Sequence, residues 1–151
     1  MILETERLLL KPYEIEFAEE IYQVVKQKEI ADTMVMIPHP YPREVVDSWI
    51  SYLQKSFEQG TAYEFAVFLK ESGRYIGNCG LVTVSKTHKN AEVDYFIDVS
   101  QWGNGYATEA CKKIIEFGFQ EHQLNRVYSR CMVRNIASRK VMEKSGMVWE
   151  G

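Results

Sequence analysis

Two groups of residues in this 151-residue chain have types and spacing suited to chemistry. The first is Gln101-Trp102-Gly103-Asn104-Gly105-Tyr106-Ala107, set between a strand-like pattern and a helix-like one. A strand that turns through glycines into a helix presents unpaired backbone N–H groups and the positive end of the helix dipole, and the glycines let an anion approach the main chain. That suits a phosphate. The dinucleotide fingerprint G-x-G-x-x-G fails because Thr108 stands where its third glycine would be, and the chain has no G-K-[ST] triplet. A glycine turn without a ligand is the plain alternative. The second group is Glu92, Asp94 and Asp98, which alternate along residues 91–99 and share a face with Phe96, while Val93, Tyr95 and Ile97 take the other face. This face is unusually acidic, and its plain reading is the solvated side of a strand. Asn135 and Ser138 are by position an N-cap and its N3 residue. His39, His88 and His122 stand singly without ligand spacing, so no metal is expected.

The elements that must position these residues are legible in the periodicity. Leu8, Leu9 and Leu10 form a short strand stopped by Pro12, and Ile15, Ala18, Ile21, Tyr22 and Val25 then recur at helical spacing. Pro38, Pro40 and Pro42 mark a stiff loop. Val45, Val46, Trp49, Ile50, Leu53 and Phe57 predict a second helix ending at Gly60. Residues 63–70 and 75–84 read as a hairpin around a turn at 71–74, and residues 91–99 as the acidic strand. A helix follows the glycine turn, with Ala107, Ala110, Cys111, Ile114, Ile115 and residues 117–119 as its apolar positions. Residues 126–133 read as a strand, residues 135–144 as a helix closed by Gly146, and a last short strand is expected from Met147.

The length fits one domain, residues 1–151, of the α/β (α+β) class. A formal net charge of −3 argues against unaided binding to a polyanion, so nucleic acid is not an expected partner. The longest apolar run, residues 65–69, is far short of the roughly 20 residues needed to span a membrane. The N-terminus carries acids where a signal peptide would carry bases, which makes a cytoplasmic location the expectation. Cys79, Cys111 and Cys131 are odd in number, widely spaced and set in apolar segments, as reduced core residues would be.

Gln101-x-x-Gly103-x-Gly105-x-Ala107 resembles the acetyl-coenzyme A pyrophosphate loop of the GNAT superfamily of N-acetyltransferases. Thr5-Glu6-Arg7-Leu8-x-Leu10, Ala91-Glu92-Val93-x-Tyr95, Asn135-x-x-Ser138 and Glu143-Lys144-x-Gly146 resemble its ribosomal-protein (alanine) N-acetyltransferase-like branch, in the right order. The resemblance runs from near residue 5 to residue 149. It implies a GNAT fold: a central mixed, mostly antiparallel sheet flanked by helices and splayed between the acidic strand and the strand at 126–133 to admit the pantetheine arm. Backbone groups of Phe96, Ile97, Asp98 and Val99 would pair with that arm. Gln101, Trp102, Gly103, Asn104, Gly105, Tyr106, Ala107 and Thr108 would form the pyrophosphate loop. Asn135, Ser138 and Arg139 would contact the coenzyme, with Lys140 and Lys112 as further screening charges.

By the same resemblance, the protein is an acetyl-coenzyme A-dependent N-acetyltransferase acting on a primary amine, either a protein N-terminus or a small molecule, by direct attack in a ternary complex. Acetyl transfer needs a neutral amine and a protonated leaving thiolate. Glu92 is the expected base. Asp94, at a position that is usually small in the family, narrows the acceptor site or adds a second carboxylate. Met142 stands where many relatives carry an acidic tyrosine, so Ser138 is the expected donor to the coenzyme sulfur. Tyr41, Trp49 and Tyr95 are candidate acceptor-pocket walls. Acetyl-coenzyme A is the sole cosubstrate expected, without a metal. The alternative is a non-catalytic acyl-coenzyme A-binding module. Members of the branch continue past residue 151 with about two further strands. The C-terminal strands therefore read as truncated, and self-association into a homo-oligomer would cover the exposed edge.

Overall fold

The computed structural model describes residues 1–33, 42–129 and 136–148, the side chains of 31–33 and 136–138 excepted. In chain order the elements are β1 (Leu3–Glu4), β2 (Leu8–Pro12), α1 (Ala18–Val25), α2 (Lys28–Thr33), α3 (Arg43–Gln59), β3 (Tyr63–Leu69), β4 (Tyr75–Ser85), β5 (Asn90–Ile97), α4 (Tyr106–His122), β6 (Arg126–Tyr128) and α5 (Ile136–Lys144). The strands form one sheet in the order β1-β2-β3-β4-β5-β6. Every neighbouring pair is antiparallel except β5 with β6, which run parallel.

Alternation along the strands divides the core between the two faces of this sheet. Leu8, Leu10, Phe65, Val67, Cys79, Leu81 and Val93 meet the apolar side of α4 through Ala110, Cys111, Ile114 and Phe117. On the opposite face Ala66, Phe68 and Phe96 pack with Ile21, Val24 and Val25 of α1 and Val46, Ile50 and Leu53 of α3. Helix α3 runs from Pro42, its N-cap, to Gly60, whose left-handed φ of 74° lets its amide turn back onto the Phe57 carbonyl. Ile114 is fully buried between α4 and the sheet. Truncating it to alanine leaves a void that neighbours on both elements cannot fill, so Ile114→Ala should lower unfolding stability by about 3 kcal/mol in urea titration.

The structure departs from the expected elements at β1, α2, the end of α4 and Met147. The two-residue β1 and the six-residue α2 are additional; both are shorter than a periodic pattern needs to declare itself. Helix α4 runs on to His122, where Gln123 takes a left-handed conformation. The expected strand at 126–133 is described only over Arg126–Tyr128. No strand begins at Met147, because the Met147 amide folds back onto the Met142 carbonyl and Gly146 onto Glu143, closing α5. Cys79 and Cys111 are free and buried with sulfurs 3.8 Å apart, and burial pushes the Cys79 thiol well up. Cys131 lies outside the described residues.

Candidate active site

The parallel ladder of β5 and β6 has three rungs, Asn90 with Arg126, Ala91 with Val127 and Glu92 with Tyr128. Beyond Glu92 the next contact is a side chain, with Ser129 Oγ donating to the Val93 carbonyl at 3.1 Å. Glu92 stands at the last rung of this ladder among the described residues, and residues 130–135 lie outside them. On the other side of β5 the ladder with β4 continues, and the Asp98 amide donates to the Ile76 carbonyl at 2.7 Å. Backbone direction alternates along a strand, so Phe96 and Asp98 turn their main-chain groups toward β4, while Val93, Tyr95 and Ile97 turn theirs toward the β6 side. This changes the expected strand contribution: of the four residues assigned to the pantetheine arm, Phe96 and Asp98 have backbone groups on the wrong edge. Phe96 places its ring in the core on the α1 and α3 side.

The Asp98 carboxylate holds the turn together instead of facing a ligand. It accepts from the Ser100 amide (3.0 Å), the Ser100 hydroxyl (3.1 Å) and Gln27 Nε2 (3.0 Å), and it pairs with Arg74 Nη2 at 3.1 Å. Burial works to raise its pKa, but the hydrogen bonds from Gln27 and Ser100 and the Arg74 charge outweigh it and hold the carboxyl below its usual value. A short 3-10 turn follows at Val99–Gln101. The Val99 amide donates to Gln27 Oε1, the Gln101 amide to the Asp98 carbonyl and the Trp102 amide to the Val99 carbonyl. The Trp102 indole N–H donates to the Ile97 carbonyl at 2.7 Å. Contrary to expectation, then, the Val99, Gln101 and Trp102 amides are already engaged within the protein.

The turn opens after Trp102. Gly103 and Gly105 have φ of 81° and 80°, a region in which glycine alone is unstrained, and Gly105 is the N-cap of α4 with no side chain to cap it. Among the described residues, the amides of residues 103–108 find no acceptor. A run of unsatisfied N–H groups at the start of a 17-residue helix is an anion site in waiting. Gly105→Ala should cost about 1 kcal/mol of stability from the strained φ and several-fold in affinity for a phosphate-bearing ligand, read by denaturation and calorimetry.

On the α1 and α3 face the acidic strand is not a solvated surface. Glu64 of β3, Gly80 of β4 and Asp94 of β5 occupy one row across three strands. Gly80 has no side chain, so the Glu64 and Asp94 carboxyls meet above it and hydrogen-bond to each other. Asn78 Nδ2 donates to both, at 3.0 Å to Glu64 and 3.2 Å to Asp94, and its Oδ1 accepts from the Tyr13 hydroxyl, which also contacts that of Tyr75. Burial first, and then the charge of Glu64, raise the Asp94 carboxyl well above the carboxylate range; burial also raises Glu64. Asp94 as a residue keeps some exposure while its carboxyl is enclosed, and it is the carboxyl's surroundings that set its titration. The half-buried Glu92, two residues away on the same face, adds its charge to the effect. Glu64 also borders a cleft of about 220 Å³ lined by Tyr13, Leu53, Gln54, Phe57 and Glu58. Glu64, Asn78 and Tyr13 were not singled out from the sequence. The available signal was Glu64 as the one charge in the otherwise apolar strand at 63–69.

Asn135 and Tyr41 lie outside the described residues, as does the side chain of Ser138, whose main chain is in the first turn of α5. Arg139 pairs with Glu143 at 2.8 Å along the same helix. Lys112 and Lys140 are exposed, and Met142 is buried in the core. Trp49 and Tyr95 do not share a pocket: Trp49 packs with Tyr13 and Phe96 on the α3 face, and Tyr95 packs on the α4 face. Among the described residues no group of His, Cys, Asp and Glu could hold a metal, and no helix is long and apolar enough to cross a membrane.

A family model for the acetyltransferase (GNAT) domain matches residues 7–148. The chain belongs to the GNAT family. This GNAT acetyltransferase is 30% identical over 149 residues to the uncharacterized N-acetyltransferase p20 of Bacillus licheniformis, covering 99% of the chain and 83% of the relative. It is 29% identical over 94 residues to the ribosomal-protein-serine acetyltransferase of Escherichia coli, covering 62% of the chain and 51% of the relative. In fold it is similar to RimL, a ribosomal L7/L12 alpha-N-protein acetyltransferase solved with coenzyme A, at a TM-score of 0.92 and 17% identity, covering 100% of this chain and 86% of that one. It is also similar to the microcin C7 self-immunity acetyltransferase MccE solved with acetyl-CoA and AMP, at a TM-score of 0.88 and 20% identity, covering 97% and 82%. As a GNAT enzyme the protein is an N-acetyltransferase, and its six-stranded mixed sheet is the GNAT fold.

Proposed function

We propose that the protein transfers an acetyl group from acetyl-coenzyme A to a primary amine, by direct attack within a ternary complex, with a peptide N-terminus or a small-molecule amine as acceptor. One observation carries this reading: among the described residues the amides at 103–108 lack acceptors, and they follow directly on the strand that carries Glu92. An anion-holding turn and a carboxylate are thereby joined through one strand. The residues present suit the coenzyme, since uncapped N–H groups meet a pyrophosphate and the outward edge of β5 meets an extended amide-bearing arm. Acetyl-coenzyme A supplies the activated acetyl group.

Residues 103–108 hold the phosphates, and Tyr95 and Ile97 orient the arm. Glu92 takes the proton from the incoming ammonium, directly or through water, because an amine with a pKa near 8 to 10 is mostly charged at neutral pH. Ser138 Oγ passes a proton toward the sulfur. The ribosomal-protein acetyltransferases among the relatives favour a protein acceptor.

The test is calorimetric titration with acetyl-coenzyme A and coenzyme A, followed by thiol release in the presence of N-terminal peptides and small amines. Saturable binding with amine-dependent thiol release is expected. Binding without release under any amine would turn the reading toward a non-catalytic coenzyme module, and absence of binding would overturn the role of residues 103–108.

A further inference from the structure

The first turn of α4 carries a carboxylate, Glu109, close to the amides that would receive phosphate. A helix N-terminus contributes about half a positive charge, whereas Glu109 contributes a full negative one. Taken together they would repel an anion.

Arg7 reverses that sign. Its Nε donates to Glu109 Oε1 at 2.7 Å and its amide to Glu109 Oε2 at 2.8 Å, and the Thr5 hydroxyl donates to the same carboxylate. Arg7 Nη1 donates to the Asn104 carbonyl at 2.9 Å, and the guanidinium lies 4.4 Å from the centre of the Tyr106 ring. Arg7 thus grips the glycine turn from behind at Asn104 and Tyr106 while it pairs with Glu109. The hydrogen bonds from Thr5 and Arg7, and the Arg7 charge, more than offset the effect of burial and hold the Glu109 carboxyl below its usual range, so it is ionised at neutral pH. Glu109 in turn anchors the bend between β1 and β2 to α4, which explains why an acid is tolerated at this end of the helix.

We infer that Arg7 is a positioning residue for coenzyme binding: it cancels the Glu109 charge, so that residues 103–108 present a net positive end to a pyrophosphate. The inference rests on the reading of these residues as the coenzyme loop. It assigns a role to Thr5 and Arg7, whose pairing with a helix about a hundred residues later is invisible in the sequence. Nε and Nη1 are both committed to protein acceptors, so the Arg7 charge is held beside the loop by its pairing with Glu109.

The experiment is calorimetric titration with coenzyme A of the wild type, Arg7→Met, Arg7→Lys and the double variant Arg7→Met/Glu109→Gln, each at low and moderate salt. Arg7→Met should bind about tenfold or more weakly, and Arg7→Met/Glu109→Gln should recover to within about threefold of wild type, since removing the orphaned charge restores the sign. The deficit of Arg7→Met should shrink with added salt, which screens the repulsion. Arg7→Lys keeps the charge without the guanidinium fork and should stay within about threefold; it carries the test if Arg7→Met melts below the assay temperature. A double variant as weak as Arg7→Met, or a tenfold loss in Arg7→Lys, would overturn charge compensation. Wild-type protein that fails to bind coenzyme A would overturn the loop reading itself, a result separate from the behaviour of any variant.

Discussion

Replacing Glu92 by glutamine is expected to lower acetyl transfer at pH 7 by about 100- to 1,000-fold, the usual range for loss of a general base, while coenzyme affinity changes less than about twofold. Glutamine keeps the shape of the side chain at a rung shared by β5 and β6, so the strand pairing survives. What disappears is the acceptor for the ammonium proton. The deficit should narrow as pH rises past the pKa of the chosen amine, because a growing fraction of the acceptor then arrives already neutral; for an α-amino group that lies near pH 8. Initial rates of thiol release from pH 6.5 to 9.5, with coenzyme affinity measured on the same preparations, decide the matter. A variant as fast as wild type at pH 7, or a deficit that ignores pH, would remove Glu92 from the role of base.

The Glu64–Asp94 pair predicts an unusual dependence of stability on pH. Both carboxyls are raised above the reference values of 4.5 and 3.8, so the folded protein keeps a proton that the unfolded chain releases. Groups of this kind contribute their full stability below the unfolded pKa, near 4, and lose it as pH rises toward the folded value. The slope is about 1.4 kcal/mol per pH unit for each proton retained. Asp94→Asn replaces the carboxyl that holds the proton by a neutral amide that does not titrate and still hydrogen-bonds Glu64. Its stability relative to wild type should therefore be close to even at pH 4.5 and rise steadily in favour of the variant toward pH 8. Urea titrations at the two pH values test this. An equal difference at both would show that the pair does not share a proton.

Much of the frame could be read before any coordinates. Helix α3 and its glycine cap, the hairpin of β3 and β4, and the strand, turn and helix around residues 97–122 all follow from local periodicity, and each is as expected to within a few residues. The family resemblance was equally plain, because it rests on linear motifs. What local pattern cannot supply is register. Whether Glu64 faces Asp94 depends on two strand alignments through Gly80, and whether Trp49 can meet Tyr95 depends on which sheet face each takes. The same holds for the edge of β5, where a single hydrogen bond from Asp98 to Ile76 decides which amides turn toward the β6 side.

The row through Gly80 also bears on how this enzyme can vary. A β-carbon at position 80 would come within 2.5 Å of the Tyr63 carbonyl oxygen and the Glu64 α-carbon, which are main-chain atoms that shortening a side chain cannot move. Position 80 is therefore closed to exchange while β3 and β4 keep their spacing. Positions 64 and 94 are open, because only side-chain atoms meet there. Acid–acid, acid–amide or amide–amide combinations can replace one another above the same backbone, so an evolutionary path or a designed library can retune the polarity of this face two residues at a time without disturbing the sheet.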